Sequence, residues 1–189
     1  MAQSVLVIAE SGSGKSTSGR NLDSKETFWI NIANKPLPFK GWRKDYTLIS
    51  KDNPKGNMTN ASSAPGIIKA IQHVNDKMPQ VKTLVVDDWQ YMSSFEYFDR
   101  ANEKGYDKFT QIAANLAMVA KLPKDLRDDL TVIFLTHSED STDINGNRKI
   151  KAKTIGKMID NTLTLEGLFS IVLFGKVNKN DDGELSYGF

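Results

Sequence analysis

An α/β fold, with a mainly parallel central sheet flanked by helices and antiparallel C-terminal hairpins, is predicted by three observations. Short apolar runs of strand length alternate with stretches of helical periodicity. A glycine-rich loop, Ala9-Glu10-Ser11-Gly12-Ser13-Gly14-Lys15-Ser16, joins the first such run to the first helical stretch. Asn145-Gly146 and Asp182-Gly183 are hairpin turn signals between short strand-like segments. At 189 residues with 39% apolar side chains, the chain suits one domain, 1–189, able to bury a sizeable core.

The elements follow in order. Val5 to Ile8 reads as a buried parallel strand and Lys15 to Leu22 as the helix opened by the loop. Phe28 to Ile32 is a second strand, closed by Pro36-Leu37-Pro38. Lys40 to Ala61 is polar with few periodic apolar positions and is expected to be an extended, mobile loop. Ser63-Ala64-Pro65-Gly66 supplies a cap and a first-turn proline, after which Ile67, Ile71, Val74 and Met78 recur at helical spacing. Thr83 to Val86 is the third strand. Met92 to Glu103 and Phe109 to Leu122 are two helices joined at Gly105, and Thr131 to Leu135 is the fourth strand. The C-terminal third, including Phe169 to Val177, is expected to be antiparallel.

The loop carries the first chemistry. A glycine-rich turn between strand and helix points several backbone N–H groups into one concavity, where the oxygens of a phosphate group fit. Ser11, Gly12, Ser13, Gly14, Lys15, Ser16 and Thr17 are the expected binding residues for the phosphates of a nucleoside triphosphate. Lys15 would reach the β- and γ-phosphates, the Ser16 hydroxyl would ligate Mg²⁺, and the helix dipole would add to the field. The usual first glycine of this pattern is replaced by Ala9.

Leu84-Val85-Val86-Asp87-Asp88 supplies an acidic strand end, where Asp87 is the expected second Mg²⁺ ligand. Asp88 follows at the position where many ATPases carry a glutamate to deprotonate water, one methylene shorter. Asn31, Asn34 and Lys35, at the end of the second strand, are not carboxylates, and Glu26 before it is a fallback base. His137, in Thr136-His137-Ser138, is the expected sensor of the γ-phosphate. Between Thr142 and Lys157 the chain holds Arg148, Lys149, Lys151, Lys153 and Lys157 against Asp143, a cluster suited to nucleic-acid phosphates, to a neighbouring subunit's nucleotide, or to protecting a strand edge. Phe39, Trp42 and Tyr46 either stack on a base or anchor the polar segment.

With these motifs in this order, the chain resembles the RecA-like, AAA-type ATP-binding proteins of bacteriophages, some of which are single-strand annealing recombinases. The resemblance extends to Ile32 to Phe39 and to Thr154-Ile155-Gly156-Lys157-Met158 before Leu165 to Phe169. It implies a P-loop NTPase fold with an ASCE core, in which the strand of His137 lies between the loop strand and the Asp87 strand. It also implies ATP and Mg²⁺ at their C-terminal ends, with Lys15, Ser16, Asp87 and His137 in the site. The missing carboxylate after the second strand departs from RecA itself.

Composition sets outer limits. With no cysteine, the chain has no disulfide framework, thiolate zinc site or cysteine nucleophile. Its net charge of +2 leaves any nucleic-acid contact to a local patch. No run approaches the ~18 apolar residues of a membrane span, so a soluble, unprocessed protein of the cytoplasm is expected, that of a bacterial host if phage-encoded. The leading expectation is an ATPase acting with single-stranded DNA in phage replication or annealing recombination, with nucleotide at the interfaces of a homo-oligomer. A nucleoside or nucleotide kinase and an ATP-responsive binding module are the alternatives, the kinase weakened by only five arginines and no paired ones. Asn178-Lys179-Asn180-Asp181 matches a guanine-recognition pattern, but Gln90 stands where a GTPase needs glycine after Asp87.

Overall fold

The computed structural model describes residues 1–142, 145–155, 164–180 and 182–189. Its main sheet is built from β1 (Gln3–Ala9), β2 (Thr27–Asn31), β3 (Met58–Thr59), β4 (Thr83–Asp87), β5 (Thr131–Thr142) and β7 (Ile171–Phe174), with β6 (Arg148–Ala152) pairing only with the outer part of β5. The order β3-β2-β4-β5-β1-β7 places β5 between β4 and β1. All pairs within that path are parallel, so the C-terminal ends of β1, β2, β4 and β5 gather at one edge. The α/β P-loop NTPase architecture is therefore present, including the strand placement that the resemblance implied.

Alternation sorts the two faces. Leu6 and Ile8 of β1 enter a core with Phe28, Ile30, Leu84, Val86, Val132 and Phe134, while Val5 and Val7 face the other side with Trp29, Val85 and Leu135. The first face is covered by α3 (Ala64–Lys77), α4 (Gln90–Asp99) and α5 (Asp107–Lys121), which supply Ile67, Ile71, Val74, Met92, Leu116 and Val119. Helix α3 begins as its sequence implies, with the Ser63 side chain accepting from Gly66 N–H and Pro65 in the first turn. Among the described residues no helix is long and apolar enough to cross a membrane.

Three expectations are corrected. The helix after the loop, α1 (Lys15–Ser18), is one turn long and passes into a 3-10 turn over Gly19–Asn21, with Leu22 already extended. Close packing accounts for the glycine there: a Cβ at Gly19 would stand 2.7 Å from two ring atoms of Trp29, which is 0% exposed. The polar segment from Lys40 is not a free loop. It forms α2 (Trp42–Asp45) and β3, and Asn57 pins it: the backbone C=O accepts from Trp29 N–H, and the side-chain amide donates to the carbonyls of Ser24 and Asp45. Phe39 and Tyr46 pack edge-to-face on Trp29 and on each other, so both anchor the segment.

The third correction concerns the C-terminal third. β5 and β6 form the expected antiparallel hairpin, with Ser138 opposite Ala152 and Thr142 opposite Arg148. β7, however, pairs parallel with β1, from Val5 opposite Ile171 to Ile8 opposite Phe174, and only β8 (Lys176–Lys179) and β9 (Leu185–Gly188) form the second hairpin. A β7 partner across the sheet completes hydrogen bonds that the edge of β1 would otherwise leave to water.

Candidate nucleotide site

The phosphate loop leaves β1 at Ala9 and turns through two left-handed glycines, Gly12 (φ 77°) and Gly14 (φ 88°), a conformation that side chains rarely adopt. Residues 11–17 form one wall of a cleft of about 830 Å³ at the C-terminal edge of the sheet. Because α1 is a single turn, its dipole adds little, and anion binding falls to the amides of the loop itself. Lys15 is buried, and its ammonium donates to the carbonyls of Ala9 (2.8 Å) and Glu10 (2.7 Å). Burial holds its pKa below the ordinary lysine value, against the opposing pull of Asp88 and Asp87.

Ser16 and Asp87 meet across the chain. The Ser16 hydroxyl donates to Asp87 Oδ1 at 2.8 Å, because β4 and β1 flank β5 and their C-terminal ends lie at the same edge of the sheet. Asp87 is 2% exposed, and burial, then the neighbouring Asp88 charge, pushes its carboxyl up to about 6. A hard dication fits this pair, since Mg²⁺ takes oxygen ligands and its charge would offset what now disfavours ionised Asp87.

Asp88 has a positive φ of 59°, which aspartate tolerates better than most residues. That turn sends its carboxylate between Lys35 and His137. Lys35 Nζ pairs with Oδ2, and His137 Nε2 lies 3.4 Å from Oδ1. Burial acts to raise the Asp88 carboxyl, but the hydrogen bonds from His137 and Lys35 and the Lys35 charge outweigh it and hold it below the usual range. His137 sits opposite Ala9 in the β5–β1 register; its backbone N–H meets Gln90 Oε1 at 3.3 Å and its C=O accepts from Lys153 N–H at 2.8 Å.

The cleft thus gathers Ser11, Gly12, Ser13, Gly14, Lys15, Ser16, Thr17, Asp88 and His137, with Asp87 buried beneath Ser16. Glu26 lies away from it, before β2 at the opposite edge of the sheet, where its carbonyl accepts from Lys82 and Thr83 N–H; it is therefore no base for this cleft. The basic cluster stands apart on the β5–β6 hairpin. Arg148 is matched across the strands by Asp140 (2.9 and 3.0 Å), and Lys151 by Glu139 (3.7 Å). Lys149 has no described side-chain acid opposite it, Lys153 lines a second cavity of about 400 Å³ with Glu10, Tyr91 and His137, and Lys157 lies outside the described residues. Gly156, Met158, Asp143 and Asp181 of the sequence motifs lie outside them as well.

Lys35 is the partner that residue types alone did not single out. The signal was a cation just past the second strand, meaningful only once β2 and β4 are known to be neighbours. Tyr187 and Phe189 also line the cleft, from the terminal hairpin. The AAA domain family model matches residues 1–188. The chain belongs to that family. An AAA domain is a P-loop ATPase module, which accords with the loop, the strand order and the acidic strand end found here. No curated protein matches the chain.

Proposed function

We propose that this AAA domain is a Mg²⁺-dependent ATPase in which Lys15 and residues 11–17 bind the phosphates, Ser16 and Asp87 hold the metal, and Asp88 is the general base. The observation that carries the reading is the convergence in one cleft of the Ser16–Asp87 bond with an Asp88 carboxylate held ionised by Lys35 and His137. Mg²⁺ would supply charge neutralisation at the β- and γ-phosphates. Asp88 can accept a proton from water only when Lys35 and His137 leave an oxygen open, so a γ-phosphate drawing Lys35 away would free the base where the water attacks.

His137 is the proposed sensor. It touches Asp88 on one side, and its own strand continues into the hairpin with β6 on the other. The proposed partner at that hairpin is single-stranded DNA. Since Arg148 and Lys151 already face acids, contacts among the described residues would fall mainly to Lys149 and Lys153, and the two phosphates they neutralise contribute about −1.4 to the salt slope. The kinase alternative is disfavoured by where the arginines are: Arg43 stacks on Trp42, Arg100 meets Glu96 and Glu103, Arg127 meets Asp129, and Arg148 meets Asp140, leaving Arg20 at the cleft. The test is ATP hydrolysis with Mg²⁺, with and without single-stranded DNA, using Lys15→Ala as control. Turnover equal to that control rejects the ATPase reading; turnover unaffected by DNA, with no DNA binding at low salt, rejects the DNA partner alone.

A further inference from the structure

The strand order gives the cleft two distinct ends. Asp88 and His137 stand on the β4–β5 side of the phosphate loop, whereas β7 leads into the β8–β9 hairpin on the other side. The metal pair and the cations around Asp88 mark the end suited to terminal phosphates. The rest of a nucleotide then extends toward the hairpin side, where Tyr187 and Phe189 line the cleft.

Tyr187 is placed there by close packing. Gly175 brings the chain from β7 onto the root of the loop: its N–H donates to Ile8 C=O at 2.9 Å, and a Cβ on it would meet Ala9 Cβ at 2.8 Å and Phe189 Cε1 at 3.2 Å. The hairpin then returns with Tyr187 opposite Val177, and its ring lies on Gly14, where a Cβ would stand 3.3 Å from Tyr187 Cδ1. Tyr187 as a residue is nevertheless 57% exposed. An aromatic side chain anchored on the phosphate loop and open to the same cleft offers a flat apolar surface within reach of a bound nucleotide.

We propose that Tyr187 is the platform on which the nucleobase of a purine nucleoside triphosphate stacks, with Phe189 bordering the same end of the cleft. This rests on the reading that the loop binds a triphosphate. Stacking reads the π-face and not the base edge, so it favours the larger purines over pyrimidines without separating adenine from guanine.

Calorimetric titration of the full chain with Mg²⁺ and ATP, UTP or inorganic tripolyphosphate tests this. Tyr187→Ala should weaken ATP about tenfold and leave tripolyphosphate unchanged, while Tyr187→Phe stays within about twofold of wild type. Tyr187→Trp gives a direct readout that does not depend on the alanine variant folding: its added emission should be quenched by ATP and not by tripolyphosphate, over a background that includes the fully buried Trp29 and Trp89. Unchanged ATP affinity in Tyr187→Ala, equal losses for ATP and tripolyphosphate, or unquenched emission in Tyr187→Trp that still binds ATP overturns the platform. Wild-type protein that binds neither ATP nor tripolyphosphate overturns the triphosphate reading, and the platform with it.

Discussion

Replacing Asp87 by asparagine should make the metal-free protein more stable at pH 8 while removing its Mg²⁺-dependent nucleotide binding. Burial and the adjacent Asp88 raise the Asp87 carboxyl from 3.8 to about 6. A folded value above the unfolded one means that protonated Asp87 stabilises the fold at low pH, and that this contribution is lost as pH rises through about 6. By pH 8 the ionised carboxylate costs the fold about 3 kcal/mol. Asparagine keeps the shape and still accepts from Ser16, and because the Ser16 bond is already counted in the raised carboxyl, the variant gains about the full 3 kcal/mol. For a chain of this size that raises Tm by about 6–12 °C. Thermal melts by circular dichroism in EDTA measure it, and at pH 5 the gain should shrink to about 1.6 kcal/mol, because that pH lies only about one unit above the unfolded carboxyl value and taking up the proton on folding costs less. A variant less stable than wild type at pH 8, or a gain independent of pH, would refute the reasoning.

Lys15→Ala should abolish the stabilisation by Mg²⁺ and ATP, which for wild type at a hundredfold excess over Kd is about 2.7 kcal/mol in a melt. Asp88→Asn should slow hydrolysis by about 10²-fold or more with ATP affinity retained, and an unchanged rate removes Asp88 from the role of base. Lys35→Met removes a cation that holds the Asp88 carboxyl down, so the acid limb of the pH–rate profile should move to higher pH. Gly19→Ala drives a methyl into the Trp29 ring and should cost about 1–3 kcal/mol in urea unfolding.

What could be read from the chain was what local chemistry determines. The phosphate loop, the Ser63 cap of α3 and the acidic end of β4 each declare themselves within a few residues. The parallel pairing of β7 did not, because a parallel partner lies far away in sequence and leaves no turn signature. The Lys35–Asp88 pair joins the ends of β2 and β4, which become neighbours only through the sheet. Polarity suggested that the segment after Lys40 was free, yet its polar groups are what fasten it, chiefly through Asn57, Phe39 and Tyr46 supplying the apolar part. The glycine just past the one-turn helix traces to Trp29, a tertiary neighbour that periodicity does not see.

β5 is longer than the sheet that holds it. Thr131 to Phe134 is clamped between β1 and β4, and from Ser138 onward its strand partner among the described residues is β6. At about 3.3 Å per residue, Thr142 stands some 16 Å beyond His137. With its clamped end beside the cleft, a rigid rotation of the outer strand by about 5° at His137 would carry the hairpin end through about 1.4 Å. Motion too small to disturb the packed core can in this way be delivered as a displacement comparable to a bond length at a surface well away from the phosphates.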